Sequence, residues 1–140
     1  MLDLNDVTIA ADVRAVVEID EHDLSAEYAS APHHLALWGE RYARAQEEYL
    51  RAKLGRERCE ARLRLTLREE WEADPKNKRC TEAQLDAMVN AHDEYAGAKV
   101  TEIEAEAVAL RARGITQALR AKTEMLISLG ATQRAEMQAG

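Results

Sequence analysis

Apolar side chains recur every three or four residues along two long stretches of this 140-residue chain, which is the spacing of one face of an α-helix. The first stretch follows Pro32, where proline suits the first turn of a helix, and no strong helix breaker follows before "ADPKNK". The spacing therefore predicts one long helix over residues 32–73 and a loop over residues 74–80. A heptad seam runs along this helix and is interrupted only at Arg56. Its apolar positions are Leu35, Trp38, Tyr42, Ala45, Tyr49, Ala52, Cys59 and Leu63.

The second stretch begins at Thr81, whose hydroxyl can cap a helix while Gln84 reaches back, as in the capping-box pattern "TEAQ". Its apolar positions form a face more than one row wide. This pattern predicts a helix over residues 81–130, or two helices bent near Gly114, followed by a tail over residues 131–140. The apolar positions are Leu85, Met88, Val89, Tyr95, Val100, Ile103, Leu110, Ile115, Leu119, Leu126 and Leu129.

Before Pro32 the pattern is less regular and predicts short helices over residues 1–31. The segment "LNDVTIAADVRAVV" fits a short amphipathic helix or, from its β-branched content, a strand, and the helix is favoured. The seams of the long helices carry more apolar surface than two helices can cover in each other. We therefore expect an all-α fold, a long helical hairpin of coiled-coil-like helices completed by oligomerisation, with residues 1–140 forming a single domain.

The composition agrees with this fold, because phenylalanine is absent, aromatic residues make up 4% and charged residues 32% of the chain. Cys59 and Cys80 lack the close cysteine partner that a zinc site shows, so we expect free thiols in a reducing cytoplasm. The chain has no run of 18 apolar residues, and its first segment is acidic where a signal peptide is basic. We expect a soluble cytoplasmic protein without a membrane partner.

Positive charge is concentrated in the predicted long helix, although the formal net charge of the chain is −7. Residues 41–68 carry 9 basic and 4 acidic side chains, whereas residues 1–40 carry 1 and 9. One interpretation is a solvated coiled-coil flank with intrahelical ion pairs, and the other is an arginine stripe that binds the phosphates of nucleic acid. Under the second interpretation, the candidate DNA-binding residues are Arg51, Arg58, Arg62, Arg64, Arg68, Lys76, Lys78 and Arg79.

Sequence patterns of phosphate-binding loops, dinucleotide sites, serine hydrolases and zinc proteases do not occur in the chain. His33 and His34 are adjacent and cannot both face one metal ion from a helix. The acidic groups "EIDEHD" and "EIEAE" are typical of solvated charge. We therefore expect no enzymatic activity, no metal ion and no cofactor.

Several features occur in a characteristic order: an acidic start, "IDEHDL", Glu27, and Trp38 leading into the basic helix. In this order they resemble the UvsY family of phage recombination mediator proteins. "EARL" is similar to the basic motif of the family and "ALRARGI" to its C-terminal helix. Of the basic motif, Arg62 carries over as a DNA contact, whereas Glu60 stands where the family has a lysine. "TLREEW" takes the place of the tyrosine-glycine sequence that follows in the family.

The resemblance implies a homo-oligomer, in the form of a ring, that binds single-stranded DNA in the cytoplasm of the host cell. It also implies contacts with a RecA-like recombinase and a single-strand-binding protein. We therefore expect a phage recombination mediator that assists loading of the recombinase in DNA recombination. The alternative is a non-enzymatic coiled-coil scaffold or assembly protein without nucleic-acid binding, in which the arginines pair with glutamates of neighbouring subunits.

Overall fold

The computed structural model describes residues 13–140, and every regular element within this range is an α-helix. Helix α1 covers residues 13–17, α2 covers Leu24–Ala73, α3 covers Glu82–Ala91 and α4 covers Asp93–Ala139. The all-α prediction is confirmed, while oligomerisation stays a prediction. The last five residues of "LNDVTIAADVRAVV", for which a helix was favoured over a strand, are helical. The rest of that segment lies outside the described residues. None of the described helices is both long enough and apolar enough to cross a membrane.

Helix α2 begins at Leu24 rather than at Pro32, which corrects the predicted start. The carboxylate of Asp23 accepts a hydrogen bond from the Ala26 N–H at 3.3 Å, so an aspartate cap starts the helix earlier. Pro32 lies inside the helix, where its missing N–H removes one backbone hydrogen bond. Residues 24–31, predicted as part of the short N-terminal helices, are therefore the first turns of α2.

The capping box predicted at Thr81 is present. The Thr81 hydroxyl accepts from the Gln84 N–H at 3.2 Å, and the Gln84 side chain accepts from the Thr81 N–H at 3.0 Å. Residues 74–80 contain no helix, as predicted.

The break in the second helical stretch lies at His92, not at Gly114. His92 has an extended backbone, with φ −77° and ψ 129°, and its N–H donates to the Val89 carbonyl at 3.1 Å. Its ring Nδ1 accepts from the Glu94 N–H at 3.2 Å, so one histidine ends α3 and caps α4. Helix α4 then continues to Ala139, and the predicted tail over residues 131–140 is helical almost to its end.

The chain forms two compact units, and the first contains residues 13–45 together with Val108–Gly140. In this unit α2 and α4 run antiparallel. The Tyr28 hydroxyl donates to the Leu126 carbonyl at 2.6 Å, and the Thr116 hydroxyl donates to the Trp38 carbonyl at 3.2 Å. The apolar core of the unit is rich in alanine, which lets two helices approach closely. It consists of Ala31, Trp38, Ala45, Ala109, Ala112, Leu119 and Leu126.

A buried lysine of α4 holds the residues before α2 in place within the first unit. Lys122 Nζ donates to the carbonyls of Val16 at 2.7 Å and Glu18 at 3.0 Å. It also lies 2.5 Å from the Glu27 carboxylate, and its side chain is only 2% exposed. A buried ammonium needs such partners, because an unpaired charge away from water is strongly destabilising.

The second unit contains Gln46–Ala107. Its core includes Leu85, which is completely buried. The other buried side chains of this unit are Leu63, Cys80, Val89, Glu102 and Ala105. Both cysteines of the chain are free, as predicted.

The predicted heptad seam of α2 matches the side of the helix that faces its partners in each unit. Trp38 and Ala45 are buried in the first unit, and Leu63 is buried in the second. The five remaining seam positions are partly buried. The seam prediction is therefore confirmed, and each unit uses its own part of the seam.

We expect Gly114→Ala to stabilise the protein by about 0.5–1 kcal/mol, because alanine loses less backbone freedom than glycine in a helix. An added Cβ at Gly114 meets no atom within 4 Å. Denaturant unfolding followed by circular dichroism measures the gain.

Gly130→Ala is the matched control. A Cβ there would stand 2.9 Å from the Tyr28 hydroxyl oxygen, which is held by its bond to Leu126. We expect this variant to gain nothing or to lose stability. Equal gains for the two variants would contradict the close approach of Tyr28 to α4.

Candidate nucleic-acid interface

Two arginines of the predicted DNA-binding set contact carboxylates of α3. Arg64 donates to Asp86 at 2.5 Å and also to Glu82, and Arg68 donates to Glu82 at 2.7 Å. The capping box at Thr81 positions Glu82, because it fixes where the first turn of α3 begins. The hydrogen bond to Asp86 raises the pKa of Arg64. Carboxylates of the same chain therefore occupy both guanidiniums.

Two further arginines of the set form exposed ion pairs. Arg62 donates to Glu94 in the first turn of α4, and Arg51 donates to Glu47 at 2.6 Å on α2 itself. All four side chains are more than half exposed. Exposed pairs of this kind contribute only about 0.2–1 kcal/mol and weaken with salt. A polyanion can therefore compete for these guanidiniums.

Arg56, which interrupts the predicted seam, forms a two-point ion pair with Glu102 of α4. Its Nε donates to one carboxylate oxygen at 2.7 Å and its Nη2 to the other at 3.3 Å. Both side chains are largely buried, with 16% and 9% exposed. The hydrogen bonds from Arg56 hold the pKa of Glu102 below its usual range. Glu60, at the position where the UvsY family has a lysine, accepts from Arg56 Nη1 at 3.3 Å.

The loop between α2 and α3 is closed by hydrogen bonds around Trp71. The indole N–H of Trp71 donates to the Lys78 carbonyl at 3.0 Å, and the Asn77 side-chain amide donates to the Trp71 carbonyl at 3.0 Å. The Asp74 carboxylate accepts from the Lys76 N–H at 3.0 Å, which forms a tight turn. These bonds give the loop a defined conformation.

Three cations of the predicted set project from this loop. Lys76, Lys78 and Arg79 are exposed, and none of them forms an ion pair with a carboxylate among residues 13–140. Asp74 uses its carboxylate to hold the loop backbone. The loop therefore presents three positive charges within four residues, with no carboxylate contact to neutralise them.

The structure places the eight predicted DNA-binding residues in three groups. Four are in ion pairs within the chain, namely Arg51, Arg62, Arg64 and Arg68. Arg58 is exposed and has no carboxylate partner in the described range. The other three lie together in the loop. Glu82, Asp86 and Glu94 were not predicted as partners of the arginines, because they belong to other helices, α3 and α4.

The side chains that commonly bind metal ions, those of histidine, cysteine, aspartate and glutamate, do not form a group of three or more among residues 13–140 that could hold a metal ion. The two adjacent histidines, His33 and His34, have ring centroids 6.0 Å apart. His92 serves as a helix cap.

Comparison with known proteins gives no match: the chain matches no protein-family model, no curated protein and no solved structure. The resemblance to recombination mediators therefore rests on the residues quoted for it.

We expect Glu102→Gln to destabilise the protein at about pH 7, because the variant leaves the largely buried Arg56 guanidinium without its counter-charge. The pKa of Glu102 is lower in the folded protein than in the unfolded chain, where it is about 4.3. Glu102 therefore stabilises the fold fully above about pH 4.3, and this stabilisation is lost as the pH falls through the pKa of the folded protein. The stability difference between parent and variant should therefore shrink as the pH falls below about 4.3.

Urea unfolding followed by circular dichroism, repeated across this pH range, measures the difference. Glu124→Gln, an exposed carboxylate on the same helix, is the control and should show little difference at any pH. If the difference in the free energy of unfolding between the parent and Glu102→Gln stays constant as the pH falls, the ion-pair assignment is contradicted.

Proposed function

We propose that this protein binds single-stranded DNA through the loop between α2 and α3 and assists the loading of a RecA-like recombinase, without catalytic activity. One observation carries the DNA-binding part of the proposal. Lys76, Lys78 and Arg79 are exposed cations that no carboxylate of the described chain neutralises. Cations of this kind gain affinity for a phosphate backbone by releasing its condensed counterions.

An aromatic side chain next to the loop also favours the binding of single-stranded DNA. Trp71 is half-buried and holds the loop through the Lys78 carbonyl. Arg79 can bind a phosphate with two N–H groups and can stack on an unpaired base. The loop therefore combines charge with planar groups, which is the usual composition of a single-strand site.

One loop alone supplies few phosphate contacts, and the chain has a net charge of −7. Tight binding then requires several loops acting on one strand, since linked weak sites gain affinity through effective concentration. This requirement agrees with the homo-oligomer that the resemblance implies. The recombinase, the single-strand-binding protein and the phage context of the proposal come from that resemblance.

The alternative function is a coiled-coil scaffold without nucleic-acid binding, and one observation favours it. Arg62, Arg64 and Arg68 use their charge to join α2 to acidic residues of α3 and α4. These pairs belong to a single chain, whereas the scaffold hypothesis expected pairs between neighbouring subunits. In this function the three arginines stabilise the packing of α2 against α3 and α4 in the second unit.

We expect the triple variant Lys76→Gln, Lys78→Gln, Arg79→Gln to bind a fluorescein-labelled oligo(dT) more weakly than the parent. Each lost phosphate contact lowers the slope of log affinity against log salt by about 0.7, so the slope should fall by about 2. Fluorescence anisotropy titrations at several salt concentrations measure both quantities.

The matched control removes the same charge elsewhere, with Arg113→Gln, Arg120→Gln and Arg134→Gln on exposed positions of α4. This control should keep the slope of the parent. A loop variant that binds as tightly and as salt-sensitively as the parent would place the DNA surface elsewhere. If the parent itself does not bind, the scaffold function is supported instead.

A further inference from the structure

Helix α2 carries a second apolar stripe in the second unit, away from its buried seam. Leu50, Leu54 and Leu65 are 52%, 48% and 65% exposed, and Ala61 is exposed as well. At about 100° per residue, these four positions fall within about 60° of one another around the helix. We call this stripe the α2 outer face.

Helix α4 carries a comparable stripe in the same unit. Val100 and Ile103 are 52% and 55% exposed. Ala96 and Ala107 extend the stripe by one turn at each end, following the three- and four-residue spacing of one helix face. We call this stripe the α4 outer face.

The Arg56–Glu102 ion pair shows that the two outer faces point away from each other. Arg56 and Glu102 contact each other, so both point into the unit. Leu54 and Val100 each stand two residues earlier, which is about 200° around a helix and therefore on the outer side. Within one chain, α2 and α4 therefore cannot cover each other's outer faces.

One border of the α2 outer face is rich in arginine, and the Val100 border of the α4 outer face is acidic. Arginines border one side of the α2 outer face, and Arg58 among them has no carboxylate partner in the described chain. Carboxylates border the Val100 side of the α4 outer face, and on the Ile103 side a carboxylate lies beside Lys99, which pairs with Glu102 at 3.9 Å. These carboxylates are Asp93, Glu104 and Glu106, which are exposed and form no ion pair within residues 13–140.

We propose that the α2 outer face of one chain packs against the α4 outer face of a second copy of the same chain. Exposed leucines then meet Val100 and Ile103, and the unpaired Arg58 meets unpaired carboxylates. Apolar burial supplies the attraction, and the oppositely charged borders favour this pairing over α2 with α2 or α4 with α4. The proposal deepens the self-association contained in the proposed function, but it does not depend on DNA binding.

Such an interface is heterologous, because it joins two different surfaces. Each copy that binds through one face leaves its other face open, so association continues until a ring closes or an open filament grows. Each added copy also brings one more loop with Lys76, Lys78 and Arg79. Arg58 is then an interface residue rather than a DNA contact.

The test disables one face at a time. Leu54→Glu places a negative charge against the acidic border of α4, and Ile103→Lys places a positive charge against the arginine border of α2. Both positions are exposed and both new residues are good helix formers, so the helix content by circular dichroism should not change. Ile127→Lys, a 63% exposed position outside both faces, is the control.

Sedimentation velocity at micromolar concentration without DNA gives the decisive result. We expect the parent and Ile127→Lys to form assemblies larger than a dimer, and each face variant alone to sediment at the monomer mass of 15.7 kDa. An equimolar mixture of the two face variants retains one intact α2 face and one intact α4 face, so it should form dimers that neither variant forms alone.

Three results would overturn the proposal. They are a monomeric parent, a face variant that assembles like the parent, and a mixture that stays monomeric while the parent assembles. The second result would indicate pairing of like faces. Because no DNA is present, none of these outcomes bears on whether the loop binds a single strand.

Discussion

The ion pair between Arg56 and Glu102 fixes which turn of α2 lies opposite which turn of α4 in the second unit. Apolar side chains alone allow neighbouring registers of two long helices with similar energies. A slip by one turn would leave a largely buried charge without its partner, which is strongly destabilising. The same register brings Arg62 of α2 to Glu94 of α4, about two turns of α4 before Glu102.

Local sequence patterns predicted the helical fold because helix periodicity and capping act within a few residues. The seam of α2 and the capping box at Thr81 are of this kind. The predicted start at Pro32 was wrong because the Asp23 cap acts earlier and the helix tolerates the proline. The break at His92 was missed since neither glycine nor proline marks it. A histidine that caps one helix and ends another has no distinctive sequence pattern.

The candidate site was less predictable from sequence, because contacts between distant parts of the chain decide which of its arginines are paired with carboxylates. Periodicity placed the arginines of α2 on common faces, but it gave no information about α3. Glu82 and Asp86 meet Arg64 only because the loop returns the chain antiparallel to α2. By contrast, the grouping of Lys76, Lys78 and Arg79 follows directly from sequence, since all three lie within four residues of one loop.

The two tryptophans divide between the two compact units, with Trp38 in the first and Trp71 in the second. Trp38 is 5% exposed beneath the Arg41 guanidinium, whereas Trp71 is half-buried and hydrogen-bonded to the loop. Their environments differ in polarity, so their emission maxima should differ as well. Replacing either one with phenylalanine leaves an intrinsic optical reporter for a single unit. The chain therefore contains the means to establish whether two units that share two continuous helices melt as one cooperative body.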